Sequence, residues 1–89
     1  LRTGVTLVGR DAQAVQGGLA IDREDLAPAH AFLFHRDGRT WILDLDSPAG
    51  TWVNTQRLPP FTGKELRDQD VVRLGGLVVR FRAVSESTP

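Results

Sequence analysis

The chain has 89 residues, 11 of them basic and 11 acidic, with two histidines and no cysteine. That length holds one domain, and at ~0.05–0.15 kcal/mol per residue its stability amounts to roughly 4–13 kcal/mol. Without cysteine there is no disulfide framework, thiolate metal site or cysteine nucleophile; zero net charge argues against a broad nucleic-acid or anionic-membrane surface, and no apolar run approaches the ~20 residues of a membrane span.

Taken in chain order, the apolar spacing predicts strands. Val5-Thr6-Leu7-Val8 is a short apolar run closed by Gly9-Arg10, and Leu19-Ala20-Ile21 is a second. Ala31-Phe32-Leu33-Phe34-His35 and Thr40-Trp41-Ile42-Leu43-Asp44-Leu45 flank Asp37-Gly38, the pattern of a hairpin with a two-residue turn. Thr51-Trp52-Val53-Asn54 opens another strand, and Pro59-Pro60 blocks ladder pairing and marks a loop. Val71-Val72-Arg73-Leu74 and Leu77 to Arg82 form a second hairpin about Gly75-Gly76, in whose last strand Val79 and Phe81 alternate with Arg80 and Arg82 as buried and wet faces. Trp41 and Trp52 are expected in the core or between sheets. No stretch keeps a helical period, so the expectation is an all-β fold, a small antiparallel sandwich or barrel over residues 1–84 with a polar tail at 85–89.

The candidate chemistry is sparse. Gly9-Arg10 ends a strand, and an arginine there can fork onto a phosphate or carboxylate, although a turn glycine beside a solvated arginine is the simpler account. Ser47, His30 and Asp44 are the residue types of a nucleophile, base and orienter, but no Gly-x-Ser-x-Gly elbow accompanies them, and loop bracing explains them better. His35-Arg36-Asp37 matches a kinase fragment without its partners and reads as a turn. Asp22, Glu24 and Asp25 about Arg23 read as a solvated acidic loop. Two histidines with no paired carboxylate make no metal site, Gly75-Gly76 precedes no helix that would complete a phosphate cradle, and the chain calls for no cofactor.

In order, four segments resemble a forkhead-associated (FHA) domain across nearly the whole chain: the strand ending in Gly9-Arg10; Leu26-Ala27-Pro28-Ala29-His30-Ala31, similar to the family's Ser-x-x-His loop; Asp44-Leu45-Asp46-Ser47-Pro48-Ala49-Gly50-Thr51-Trp52-Val53-Asn54, similar to Asp-Leu-x-Ser-Thr-Asn-Gly-Thr-x-Val-Asn; and Leu66-Arg67-Asp68-Gln69-Asp70-Val71-Val72-Arg73-Leu74-Gly75. The resemblance implies an antiparallel, eleven-strand β-sandwich of SMAD/FHA type that binds phosphothreonine peptides through loops at one end. It places Arg10, Ala27, Pro28, Ser47, Pro48 and Ala49 at the phosphopeptide loops, and Gly9, His30, Asp44, Gly50, Thr51 and Asn54 as loop braces. Ala27 stands where the family has its phosphate-binding serine, Pro28 removes the next polar contact, and Pro48-Ala49 replace Thr-Asn. Arg10 alone of these five contacts is kept.

The expected function is therefore a non-catalytic protein-interaction module with phosphothreonine recognition weakened or lost. The alternative is a phosphothreonine reader that uses Arg10, with Arg23 or Arg57 as new cations. The partner is a protein or peptide, phosphorylated or not, rather than nucleic acid or membrane. Ten arginines against one lysine point to a GC-rich bacterial genome; the setting expected is a cytosolic module, free or within a larger, membrane-linked protein. Gly9-Arg10 comes early for a family in which a first strand and hairpin precede it. The sandwich is thus expected to lack its first strand or to be trimmed of it, with Leu1 to Gly4 as the tail of that hairpin, and with an unpaired edge beside residues 5–8 open to a strand from elsewhere.

Overall fold

β-Branched and aromatic residues in short runs, cut by Asp-Gly, Gly-Gly and Pro-Pro, leave the chain little choice but pleated strands. The computed structural model describes residues 4–12 and 18–83, with nine strands among them: β1 Gly4–Gly9, β2 Leu19–Ala20, β3 Ala31–Arg36, β4 Arg39–Asp44, β5 Thr51–Val53, β6 Gln56–Arg57, β7 Gly63–Leu66, β8 Val71–Leu74 and β9 Leu77–Arg80. They form a five-stranded sheet in the order β2-β1-β3-β4-β7 and a four-stranded sheet in the order β6-β5-β8-β9. All pairings are antiparallel except β1 with β2, which run parallel. The polar tail at 85–89 and Leu1 to Thr3 lie outside the described residues.

Both predicted hairpins form. Arg36 pairs with Arg39 across Asp37-Gly38, which take φ of 53° and 75°, the left-handed pair a tight primed turn needs. Leu74 pairs with Leu77 across Gly75-Gly76. Between the sheets lies a core of Leu26, Ala31, Ile42, Val53, Leu58, Leu66, Val72 and Leu74, with Ile21, Leu33, Leu77 and Phe81 packed against it.

The tryptophans are not in that core. Trp41 alternates with buried Thr40 and Ile42, and Trp52 with buried Thr51 and Val53, so each ring lies half-buried on an outer face. The layer between two sheets with this strand spacing is filled by β-branched and leucine side chains, and the period of two then turns both tryptophans outward. Val79 also departs from expectation: it is 41% exposed, because β9 has a neighbour on one side only among the described residues. The expected edge beside residues 5–8 holds in part. Val5, Thr6 and Leu7 pair with β3 alone, whereas Val8 pairs with Ala31 on one side and Leu19 on the other.

Ile42, 2% exposed, sits in the middle of β4 and of the core. Ile42→Ala is expected to cost about 2–5 kcal/mol, read as a lower urea midpoint at unchanged slope.

Candidate functional site

At one end of the sandwich the turn after β1, the loop between β2 and β3 and the loop between β4 and β5 converge. Their meeting requires close main-chain approach. A Cβ on Gly9 would collide with the Pro28 carbonyl oxygen, so the glycine is what lets the β2–β3 loop cross the end of β1. There the Arg10 amide donates to Ala27 O at 2.9 Å and the Asp11 amide to Pro28 O at 3.1 Å.

His30 locks these loops together. It is fully buried, and every polar group it carries is used. Its amide donates to Val8 O at 2.9 Å and its carbonyl accepts from the Leu45 amide at 2.9 Å. The Ala27 amide donates to Nδ1 at 3.1 Å, so Nδ1 is the acceptor and Nε2 carries the hydrogen that it gives to Gly50 O at 2.9 Å. Gly50 O accepts the Gly75 amide as well, at 3.0 Å. Gly50 itself has a φ of +85°, and a Cβ there would meet Arg57 Nε at 2.7 Å.

A second brace centres on Asp44, 2% exposed. Its carboxylate accepts the Ser47 hydroxyl at 2.5 Å, the Ser47 amide at 3.2 Å and the Thr51 hydroxyl at 2.7 Å. A third joins β5 to β8: Asn54 donates to Asp70 at 2.8 Å and accepts the Val71 amide at 2.9 Å. The Arg67 amide, followed by the Asn54 side chain, holds the Asp70 carboxyl below the usual range.

These contacts reassign Ser47. It is buried, and its hydroxyl is spent on Asp44, so it braces the loop instead of lining a binding surface. They also separate the three residue types of a hydrolytic triad, since both ring nitrogens of His30 face main-chain groups and neither faces Ser47. His35-Arg36-Asp37 lies on the β3–β4 hairpin, where His35 Nδ1 shares a hydrogen bond with Thr40 at 3.0 Å.

The other loop positions do converge. Arg10, Ala27, Pro28, Pro48 and Ala49 line one open concavity of about 360 Å³ together with Glu24, Asp25 and Leu26. The chemistry of its wall is mixed: one arginine, two carboxylates and a run of alanine and proline. The acidic residues are not merely solvated. Asp25 takes a forked ion pair from Arg23, with both contacts at 2.9 Å, and accepts the Gly76 amide at 2.7 Å. Arg23, followed by that amide, pulls the Asp25 carboxyl down to about 2. Arg23 is thus committed to Asp25 and does not offer itself as a phosphate ligand. Arg57 reaches the edge of the concavity, 3.5 Å from Pro48 O. The acidic rim was not legible in sequence, because Asp25 meets its partner at Gly76, 51 residues away.

A family model described as the FHA domain matches residues 6–75. Among curated proteins, the chain is similar to the chloroplastic zeaxanthin epoxidase of Prunus armeniaca, 31% identical over 77 residues; the match takes in 80% of this chain and 12% of that protein. Among solved structures it is similar to one described as a structural and functional analysis of phosphothreonine-dependent FHA domain interactions (TM-score 0.80, 27% identity, 96% of this chain and 82% of the other). It is also similar to the FhaA FHA domain complexed with the intracellular domain of Rv3910 (TM-score 0.72, 26% identity, 88% and 79%).

Two outcomes follow from the braces. His30→Ala leaves the Ala27 amide without its acceptor beside a cavity and takes one of two donors from the Gly50 carbonyl, and is expected to cost about 2–4 kcal/mol in chemical denaturation. Asp25→Asn removes a carboxylate whose folded pKa lies below its ordinary value of 3.8. Its stabilisation is present above that value and fades as pH falls toward about 2. The melting temperatures of wild type and Asp25→Asn are therefore expected to differ at neutral pH and to converge across that acid window.

Proposed function

Because the chain belongs to the FHA domain family of phosphopeptide-binding interaction modules, we propose that it is a non-catalytic protein-interaction module in which phosphothreonine recognition is lost or weak. In this reading it is one cytoplasmic part of a larger, multidomain bacterial protein. A protein partner accords with the FhaA FHA domain, which was solved with the intracellular domain of another protein. The bacterial setting rests on the ten-to-one excess of arginine over lysine.

The observation that carries the proposal is the wall of the loop concavity. A phosphate dianion needs a forked cation, hydroxyl donors and free amides. Here Arg10 supplies a cation, but Ala27 has no hydroxyl, Pro28 and Pro48 have no amide hydrogen, and Ala49 has no side-chain amide. Glu24 on the same wall adds like charge against the ligand, while the Asp25 carboxylate is taken by Arg23. Each hydrogen bond to a charged group contributes about 1.5–3 kcal/mol, so losing two lowers affinity by roughly two to four decades. What remains is a shallow, mainly apolar surface framed by rigid loops, suited to an unphosphorylated segment of a partner.

The reading that competes with it is a phosphothreonine module built on Arg10, with Arg57 at the edge of the site. Calorimetric titration with a library of phosphothreonine peptides separates the two. We expect no saturable micromolar binding by the wild type, and a gain of at least about tenfold in Ala27→Ser/Pro48→Thr/Ala49→Asn, which restores the hydroxyls and the amide. Micromolar binding by the wild type that Arg10→Ala abolishes overturns the proposal.

A further inference from the structure

Charge is distributed unequally between the two sheets of a neutral chain. Strands β5, β6, β8 and β9 contain three charged residues, Arg57, Arg73 and Arg80, and no carboxylate. The register puts all three on the outer face. Trp52 lies opposite Arg57 on one side and Arg73 on the other, Arg73 lies opposite Val78, and Val71 opposite Arg80. Thr51, Val53, Val72 and Leu74, the alternate residues, are buried against the core.

This face is organised. The Arg73 guanidinium carbon lies 4.2 Å from the Trp52 ring centroid and that of Arg57 lies 5.7 Å from it. A guanidinium held on a ring by its face keeps its N–H donors in its own plane, available to an anion. Arg23, Arg36 and Arg39 each have a carboxylate partner, whereas Arg57, Arg73 and Arg80 have none among the described residues. Arg80 is steadied by a contact from Nη1 to Gln69 at 3.2 Å. Trp52, Thr55, Val71, Arg73 and Val78 enclose an open depression of about 360 Å³, with Val78 58% exposed at its margin.

We propose that the outer face of this four-stranded sheet is a second interaction surface, which takes an extended acidic segment of a partner protein. Charge complementarity selects that occupant, because three cations without a carboxylate partner among the described residues attract an acidic segment and repel a basic one. Arg57 and Arg73 sit two strands apart, about 10 Å, the reach of three residues of extended chain. The matching segment therefore carries carboxylates on one face, two or four residues apart, with an apolar side chain over Val78. A nucleic acid fits less well: Trp52 already carries two guanidinium groups and offers no bare ring for a base, and the chain as a whole is neutral. This surface meets the loop site at Arg57 and Trp52, which contact the Pro48 and Ala49 carbonyls, whereas Arg73 and Arg80 do not line the loop concavity.

The test is an NMR titration of the 15N-labelled chain at low ionic strength. The probes are a short acetylated peptide with glutamate at every second position, the same peptide with glutamine, and a short oligothymidylate. The glutamate peptide is expected to shift the Trp52 indole and the Nε resonances of Arg57, Arg73 and Arg80, with affinity falling about tenfold in Arg57→Gln/Arg73→Gln and much less in Arg73→Lys. Equal binding of the glutamine peptide, tighter binding of the oligothymidylate, shifts confined to Arg10 and Ala27, or no binding by any probe each overturns the proposal. If the double variant loses its dispersed spectrum, the glutamate–glutamine comparison on the wild type decides alone.

Discussion

The arrangement of the loop end depends on one buried imidazole. His30 joins groups that are far apart in sequence: Val8 at the end of β1, Ala27 in the loop before β3, Leu45 after β4 and Gly50 before β5. Through Gly50 O the same network reaches Gly75 in the β8–β9 turn and so crosses from one sheet to the other. Burial penalises any unpaired donor or acceptor, so the positions of these four segments are fixed together. Removing the imidazole takes the acceptor from the Ala27 amide and one of two donors from Gly50 O. Burial, and not bond strength alone, gives the brace its authority over the surface above it.

That division between brace and surface explains how the loops can change their chemistry without losing their place. His30, Asp44, Ser47 and Thr51 are buried, and their partners are main-chain groups or one another. Pro28, Pro48 and Ala49 stand exposed at the tips of the loops, and no described side-chain hydrogen bond of the brace passes through them. A substitution at a tip therefore changes what the concavity can bind and leaves the network that presents it intact. Proline at two of those positions goes further: it removes an amide donor and also stiffens the loop, lowering the ordering cost for whatever apolar segment docks there.

The parts of the fold legible in sequence are those in which local chemistry and tertiary demand agree. Asp37-Gly38 and Gly75-Gly76 announce turns that only left-handed or unhindered residues can make, and both hairpins form around them. The order of Gly9-Arg10, His30, Asp44 to Asn54 and Asp70 to Leu74 carried the family resemblance. What was missed lacks a local signature. β6 is two exposed residues, and β7 reads Gly-Lys-Glu-Leu, a polar string that becomes a strand because β4 offers it an open ladder. The outward placement of both tryptophans, against the habit of counting large aromatics as core, follows from which parity of β4 and β5 faces the other sheet. Thr40 and Thr51 hold the inward parity, and a sequence of alternating threonine and tryptophan does not say which of the two a thin core will take.

Net charge behaved in the same way, as an average that conceals its own distribution. Eleven charges of each sign cancel in the sequence, and the balance argues against a broad nucleic-acid or anionic-membrane surface. In the structure Glu24 and Asp25 lie on the loop wall and Asp44 inside, while Asp70 is taken up in the Asn54 brace just before β8. The four-stranded sheet is left with arginine alone on its outer face. At physiological ionic strength the screening length is about 8 Å, so charges farther apart than that do little to offset one another. A partner approaching that face meets the local field and not the total. The composition rule that excludes a strongly basic surface for the whole chain thus has no force at the scale of a single sheet, where spacing along the strand, one residue in two, decides which charges share a side.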